Sequence, residues 1–340
     1  MMEHSSVADS VKSQDRATPA VLAVISALLR QPARLWRSAA ILMPFLALFI
    51  ALAVASPPFL SKTNLLNILD QQAATLIIAA AGTLVLISGG LDLSVGATYA
   101  LAGVASAMVA QHHPALLGAL IAVAIGIGIG VVNGIVSTLF RINSLIATLA
   151  MSFIVSGLAA RISNGNLIVL TSNREYARIA QTEFLTIRTS IWTMLVVVLA
   201  LGFLLARTTF GRYLYAVGGN IEAARLAGVR INAIRVVAFT LSGFAAALGG
   251  VIDTSRVLSA QANNGSTLAF TVLAGIVVGG TSILGGEGAI WRTVVGVLFI
   301  ALIGNGFDLL GLNPLYQQMT LGAILLLAVG IDAWYRLRQP

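Results

Sequence analysis

The sequence has no cysteine, which excludes disulfides, thiolate nucleophiles and cysteine-ligated metals. Charge is almost as scarce. Only 9% of the 340 residues are Asp, Glu, Lys or Arg, where a soluble domain spends roughly a quarter. Lys12 and Lys62 are the only lysines and neither follows a glycine, so the chain lacks the Gly-Lys-Ser/Thr signature of a phosphate-binding loop. Any ATP-driven work then falls to another chain. The three histidines, His4, His112 and His113, have no zincin-like or comparable metal spacing. With so little Cys, His and acid, an integral-membrane enzyme has few groups to work with; the sequence offers no catalytic, cofactor-binding or metal-binding set.

What is present is apolar, 58% of the residues. Uncharged runs cover 38–61, 71–91, 93–140, 142–160, 189–206, 236–252, 257–286, 293–307 and 309–331. Most approach or exceed the roughly 17–25 residues that cross a bilayer core as a helix. The run 93–140 holds two spans, because His112-His113-Pro114 in its middle reads as a turn. The pattern predicts an all-α integral membrane protein, a polytopic bundle of about ten transmembrane helices. A barrel would instead show alternating segments of about ten residues.

The formal charge of +8 does not point to nucleic acid, because its distribution follows the membrane rule that cytoplasmic loops are rich in Lys and Arg. With the N-terminus inside, Lys12, Arg16, Arg30, Arg34, Arg37, Arg141, Arg207, Arg212, Arg225, Arg230, Arg235, Arg292, Arg336 and Arg338 fall on the cytoplasmic side. Lys62, Arg161, Arg174, Arg178, Arg188 and Arg256 fall outside. Both termini are then cytoplasmic. The expected organisation is a tail and interfacial helix over 1–37 and a transmembrane domain over 38–335, with an external loop at 161–189 and a basic internal loop at 207–235. The short apolar run 20–29 precedes arginines with no cleavage signal, so it reads as an interfacial helix, not a signal peptide.

Three polar features interrupt the apolar runs. Gly126, Gly130 and Gly134 recur every fourth position and predict close helix packing; Asn133 beside them either bonds a neighbouring helix or faces a cavity. In GGLDLSVGA, Asp92 and Ser94 follow a Gly-Gly pair. They read either as helix caps or as functional positions at a break that lines a cavity. GGTSILGGEG, residues 279–288, repeats that punctuation and suggests paired interrupted segments around a translocation path. Asp92, Glu287 and Asp308 are the acids nearest the spans, and all fall at run ends. The central relay of a proton- or sodium-driven carrier, the rival reading, is therefore missing.

GGLDLSVGA, FGRYLYAVGGNIEAARLAGV and VVGGTSILGGEG, in this order, resemble the permease subunits of ABC importers for ribose and related sugars, a group that includes branched-chain amino acid permeases. The likeness runs from about residue 38 to 333. It implies a multi-pass protein of the bacterial inner membrane, working as a homo- or heterodimer with a second permease subunit. A cytoplasmic ABC ATPase subunit and an extracytoplasmic solute-binding protein complete the assembly, and the cargo is a sugar-like solute. It also implies that Gly219, Asn220, Glu222, Ala223, Ala224, Arg225 and Gly228 form the element that couples to the ATPase. Asp92, Ser94 and Asn133 are expected near the substrate path. The chain departs from the sugar group in STLAFTVLAGIVVGGTS, which lacks the usual acidic stretch, in Arg292 before Thr293, and in INSLIATLA. These departures bear on the choice of solute.

Overall fold

A computed structural model describes residues 41–170, 173–313 and 315–337; the expected N-terminal tail and interfacial helix lie outside them. Helix α1 (Ile41–Ala55) leads through a tight turn at Pro57–Leu60 into α2 (Lys62–Ile87). Then follow α3 (Val95–Ala110), α4 (Ala115–Thr138) and α5 (Ser144–Ser163). Helix α6 (Arg174–Gln181) is short and polar and precedes α7 (Thr189–Arg207). The basic loop folds into α8 (Thr209–Gly219) and α9 (Ile221–Leu226) before α10 (Ile231–Val257). The chain ends with α11 (Leu268–Val278), α12 (Ile290–Leu309) and α13 (Leu315–Leu337).

Among the described residues six helices are long and apolar enough to cross a membrane: α2, α4, α5, α7, α10 and α12. Helices α1, α3 and α11 are shorter and apolar. Strand is confined to two-residue pairs: β1 (Ile168–Val169) runs antiparallel to β4 (Ser259–Ala260), and β2 (Glu183–Phe184) pairs with β3 (Ile187–Arg188).

Helices α2 and α10 form the centre. Residues 73–81 of α2 are buried almost all round, whereas α5 leaves Ile146, Phe153, Ile154 and Leu158 exposed, as a lipid-facing helix should. The glycine stripe of α4 lies against α10. A Cβ on Gly126 would stand 2.4 Å from the Gly243 carbonyl oxygen, and one on Gly130 would stand 2.4 Å from that of Phe239. Without side chains there, the two backbones approach closely and gain dispersion contacts that lipid cannot match.

The uncharged run 257–286, read as one span, is not one helix. It holds the end strand β4, a chain of turns over 261–267 and the 11-residue α11, which is about 16 Å long and half the bilayer core. Irregular backbone at that depth needs burial. Here it has it: a Cβ on Gly265 would fall 1.8 Å from the Gly96 carbonyl oxygen, so the turn lies directly on the start of α3. The expected turn at His112-His113-Pro114 does separate α3 from α4.

The end of the bundle formed by 161–189 and 256–260 is tied by side chains. Asp70, 4% exposed, accepts from Arg188 at 2.6 Å and from the Ser190 hydroxyl, joining α2 to α7. Asp253 takes Arg256 at 2.7 Å and the Tyr99 hydroxyl, joining α10 to α3. Tyr176 on α6 is fully buried and shares a 2.6 Å hydrogen bond with Ser106.

Candidate functional site

The opposite end carries the basic loop, and there the three glycine-rich motifs meet. Helix α2 stops at Ile87 because Gly89 takes φ +78°, a left-handed conformation that glycine adopts without penalty. The freed Ile87 carbonyl accepts from Gly286 N–H at 2.8 Å, in the turn between α11 and α12. Gly218 of α8 touches the same group: a Cβ there would sit 1.8 Å from the Ile87 oxygen. Gly286 in turn presses on the backbone of Gly219, where its own Cβ would lie 2.8 Å from Cα. Two side chains fasten the junction. Arg235 donates twice to the Ser88 carbonyl, at 3.1 and 3.0 Å, and the Tyr215 hydroxyl donates to the Gly288 carbonyl at 2.8 Å. The sequence marked each motif singly; Tyr215 and Arg235 carried no signal beyond their loop.

Helix α9 hangs from this junction. The Asn220 side chain accepts from Ala223 N–H at 2.9 Å and caps its start. At its end Gly228 (φ +78°) donates to the Arg225 carbonyl at 2.9 Å and Val229 N–H to the Ala224 carbonyl at 3.0 Å. These paired bonds satisfy the last carbonyls of the turn, so six residues hold a helix. Of them only Ala224 is buried, while Leu226 is 89% exposed. Glu222 and Arg225 form an exposed ion pair at 3.4 Å. Gly219, Asn220, Glu222, Ala223, Ala224, Arg225 and Gly228 thus belong to one small helix, its caps and the junction beneath it.

The second group is polar and buried. Asp92 Oδ1 accepts from Ser94 N–H at 3.0 Å and Ser94 Oγ–H at 2.7 Å, and its Oδ2 accepts from the Ser242 hydroxyl at 2.8 Å. Asn133 Nδ2 donates to Ser94 Oγ at 2.8 Å. Asp92, Ser94 and Asn133 therefore form one network joining the α2–α3 turn to α4 and, through Ser242, to α10. The capping reading holds only locally: Ser94 occupies the cap position of α3 but makes no side-chain cap bond. Asp92 also lies deeper than its position at a run end suggested. Its partner Ser242 is eleven residues into α10, about 16 Å along it, because residues 88–94 run non-helically into the bundle and cover more depth per residue than a helix does. A void of about 20 Å³ beside Asp92, lined by Gly82, Val272 and Ile276, has room for about one water.

The described residues thus form an apolar helical bundle with a small capped helix exposed at one end. Comparison with known proteins sharpens this. A family model described as "Branched-chain amino acid transport system / permease component" matches residues 64–329, and the chain belongs to that family. Similar relatives include the ribose import permease protein RbsC of Bacillus subtilis strain 168, 40% identical over 294 residues, covering 85% of this chain and 91% of that one. RbsC of Escherichia coli K12 is 37% identical over 295 residues, 86% and 92% of the two chains. The L-arabinose ABC transporter permease protein AraH of Azospirillum brasilense is 37% identical over 297 residues, 87% of each. The chain is a multi-pass membrane protein and a transport permease component, not an ATPase.

Proposed function

We propose that this chain is the membrane-spanning subunit of an ATP-driven ABC importer for a sugar in the bacterial plasma membrane, and that α9 takes the stroke of a separate ATPase. The observation that carries the reading is α9 itself. It is capped at both ends, almost fully exposed, and seated on the backbone junction that ends α2 and α11. A short helix of this kind fits a groove on a partner protein. In this reading Asn220 and Gly228 set its length, Gly219 seats it, and Ala223, with Ala224 beneath, lets the partner approach. Glu222 and Arg225 flank the contact. Ten helices, α1 to α5, α7 and α10 to α13, then span or re-enter the bilayer, with the arginine-rich end and both termini in the cytoplasm. The ribose and L-arabinose in the names of the relatives above support a sugar cargo, and the sequence resemblance adds an extracytoplasmic binding protein that delivers it. Asp92, Ser94, Asn133 and Ser242 lie near the path, which a second permease subunit, identical or different, completes; the void at Asp92, with room for about one water, is too small to pass a sugar.

The test is Gly228→Trp in the chain co-expressed with its ATPase. No atom lies within 4 Å of a Cβ at this position, so the bundle folds, while the indole blocks the groove and the left-handed backbone resists a side chain. ATPase recovered on the permease should fall about tenfold or more with the gel-filtration profile unchanged; normal coupled uptake in this variant overturns the assignment. A buried carboxylate at the depth of Asp92 is also what an ion-coupled carrier uses. That second reading requires uptake that survives loss of the ATPase and collapses with the proton or sodium gradient.

A further inference from the structure

Beside the junction is a cleft of about 910 Å³ between the α4–α5 turn and the start of α10. Arg141, Arg225, Arg230 and Arg235 line it, and no acid does. Arg225 has only the exposed Glu222 at 3.4 Å; Arg141, Arg230 and Arg235 form no ion pair among the described residues. Ser137 also lines the cleft, and its buried hydroxyl oxygen has no hydrogen-bond partner. Four guanidinium groups around one hollow, of which Arg235 also holds the Ser88 carbonyl, create a strongly positive potential that a multiply oxygenated anion would discharge.

The walls indicate which anion. Leu139, Phe140 and Ile142, which flank Arg141, are 61%, 70% and 44% exposed, and Ile146 continues the apolar surface along α5. An acidic protein segment would leave that surface uncovered, and free phosphate has nothing to lay on it. A glycerophospholipid matches both halves: phosphate among the arginines, acyl chains along α5. We infer that this cleft is a binding site for the headgroup of an anionic phospholipid, held against the α4–α5 turn next to α9. Guanidinium forks suit phosphate oxygens bidentately, and each basic side chain near an anionic headgroup is worth roughly a fivefold gain in affinity.

The site can be tested on the full chain purified in a neutral detergent. Phosphatidylglycerol, phosphatidylcholine and inorganic phosphate are each titrated, and retained lipid is counted by native mass spectrometry. The wild type should retain phosphatidylglycerol at least tenfold better than phosphatidylcholine. Arg141→Gln with Arg230→Gln, both exposed positions outside the helix offered to the ATPase, should bind phosphatidylglycerol about 25-fold more weakly and so lose most of that preference. Arg174→Gln with Arg178→Gln, exposed on α6 at the other end, should keep it. Equal retention of the two lipids overturns the inference, as does a preference that survives in the Arg141/Arg230 variant. Phosphate that protects the chain while phosphatidylglycerol gains nothing over phosphatidylcholine overturns the lipid assignment in favour of a bare anion site. Gel filtration of each variant confirms that it is folded.

Discussion

The two ends of the bundle treat charge in opposite ways. At the end formed by α6 and the small strand pairs, each buried or half-buried carboxylate has its own arginine: Asp70 with Arg188, Asp253 with Arg256. At the other end Asp92 is held by hydroxyls and an amide with no cation, while of the cleft arginines only Arg225 meets a carboxylate, the exposed Glu222. The first end satisfies itself and its ties are structural. The second keeps positive charge, an exposed α9 and glycine-to-glycine backbone contacts in reserve, the arrangement of a surface completed by other molecules. A self-paired end stiffens the helices; an end with cations in excess leaves its surface open.

The largest effect expected from breaking this comparison is at the junction. Gly218→Ala drives a methyl into the Ile87 carbonyl, and overpacking of a rigid backbone contact costs about 3 kcal/mol. Thermal unfolding in detergent should show it, beside Gly128→Ala on α4, where no atom lies within 4 Å and the change should be neutral or stabilising. The next effect separates the two carboxylates. Asp70→Asn removes the charge that Arg188 answers and should cost about 1–2 kcal/mol, reduced because Arg188 can turn to water. Asp92→Asn keeps one of the two acceptor oxygens, and the Ser242 hydroxyl can turn to accept from the new amide, so it should cost less, about 0.5–1 kcal/mol. Equal costs would erase the distinction between the ends. The smallest effect belongs to Glu222→Ala, whose exposed partner Arg225 loses an ion pair worth less than about 0.5 kcal/mol. Its unfolding temperature should stay near wild type, and any loss should appear instead in ATPase recovery.

Much of this fold was legible because a bilayer enforces long uncharged helices. The runs around α2, α4, α5, α7 and α12 match their helices within a few residues, apart from the early start of α2 at Lys62. Run 257–286 misled because lack of charge reports burial in apolar surroundings, which a turn lying on α3 also satisfies; only the Gly96–Gly265 contact reveals it. Residues 219–228 stood out in the sequence through their motif likeness; that Asn220 and Gly228 cap a helix there is seen in the structure. The seat of that segment was not legible, because Gly218, Ile87 and Gly286 are far apart in the chain and touch through backbone atoms that no side chain advertises. Asp92, Ser94 and Asn133 were each picked out separately, but Ser242, one serine among small residues on α10, has no sequence signal.

By itself the sequence determined that this is a polytopic helical membrane protein, because the hydrophobic effect acts on residue types wherever they fall. The tertiary structure alone decided that three glycine motifs meet beneath α9, that Asp92 reaches α10, and that four arginines surround one hollow. Those outcomes depend on how helices cross and how closely glycine lets them approach, distances that exist only once the bundle is packed.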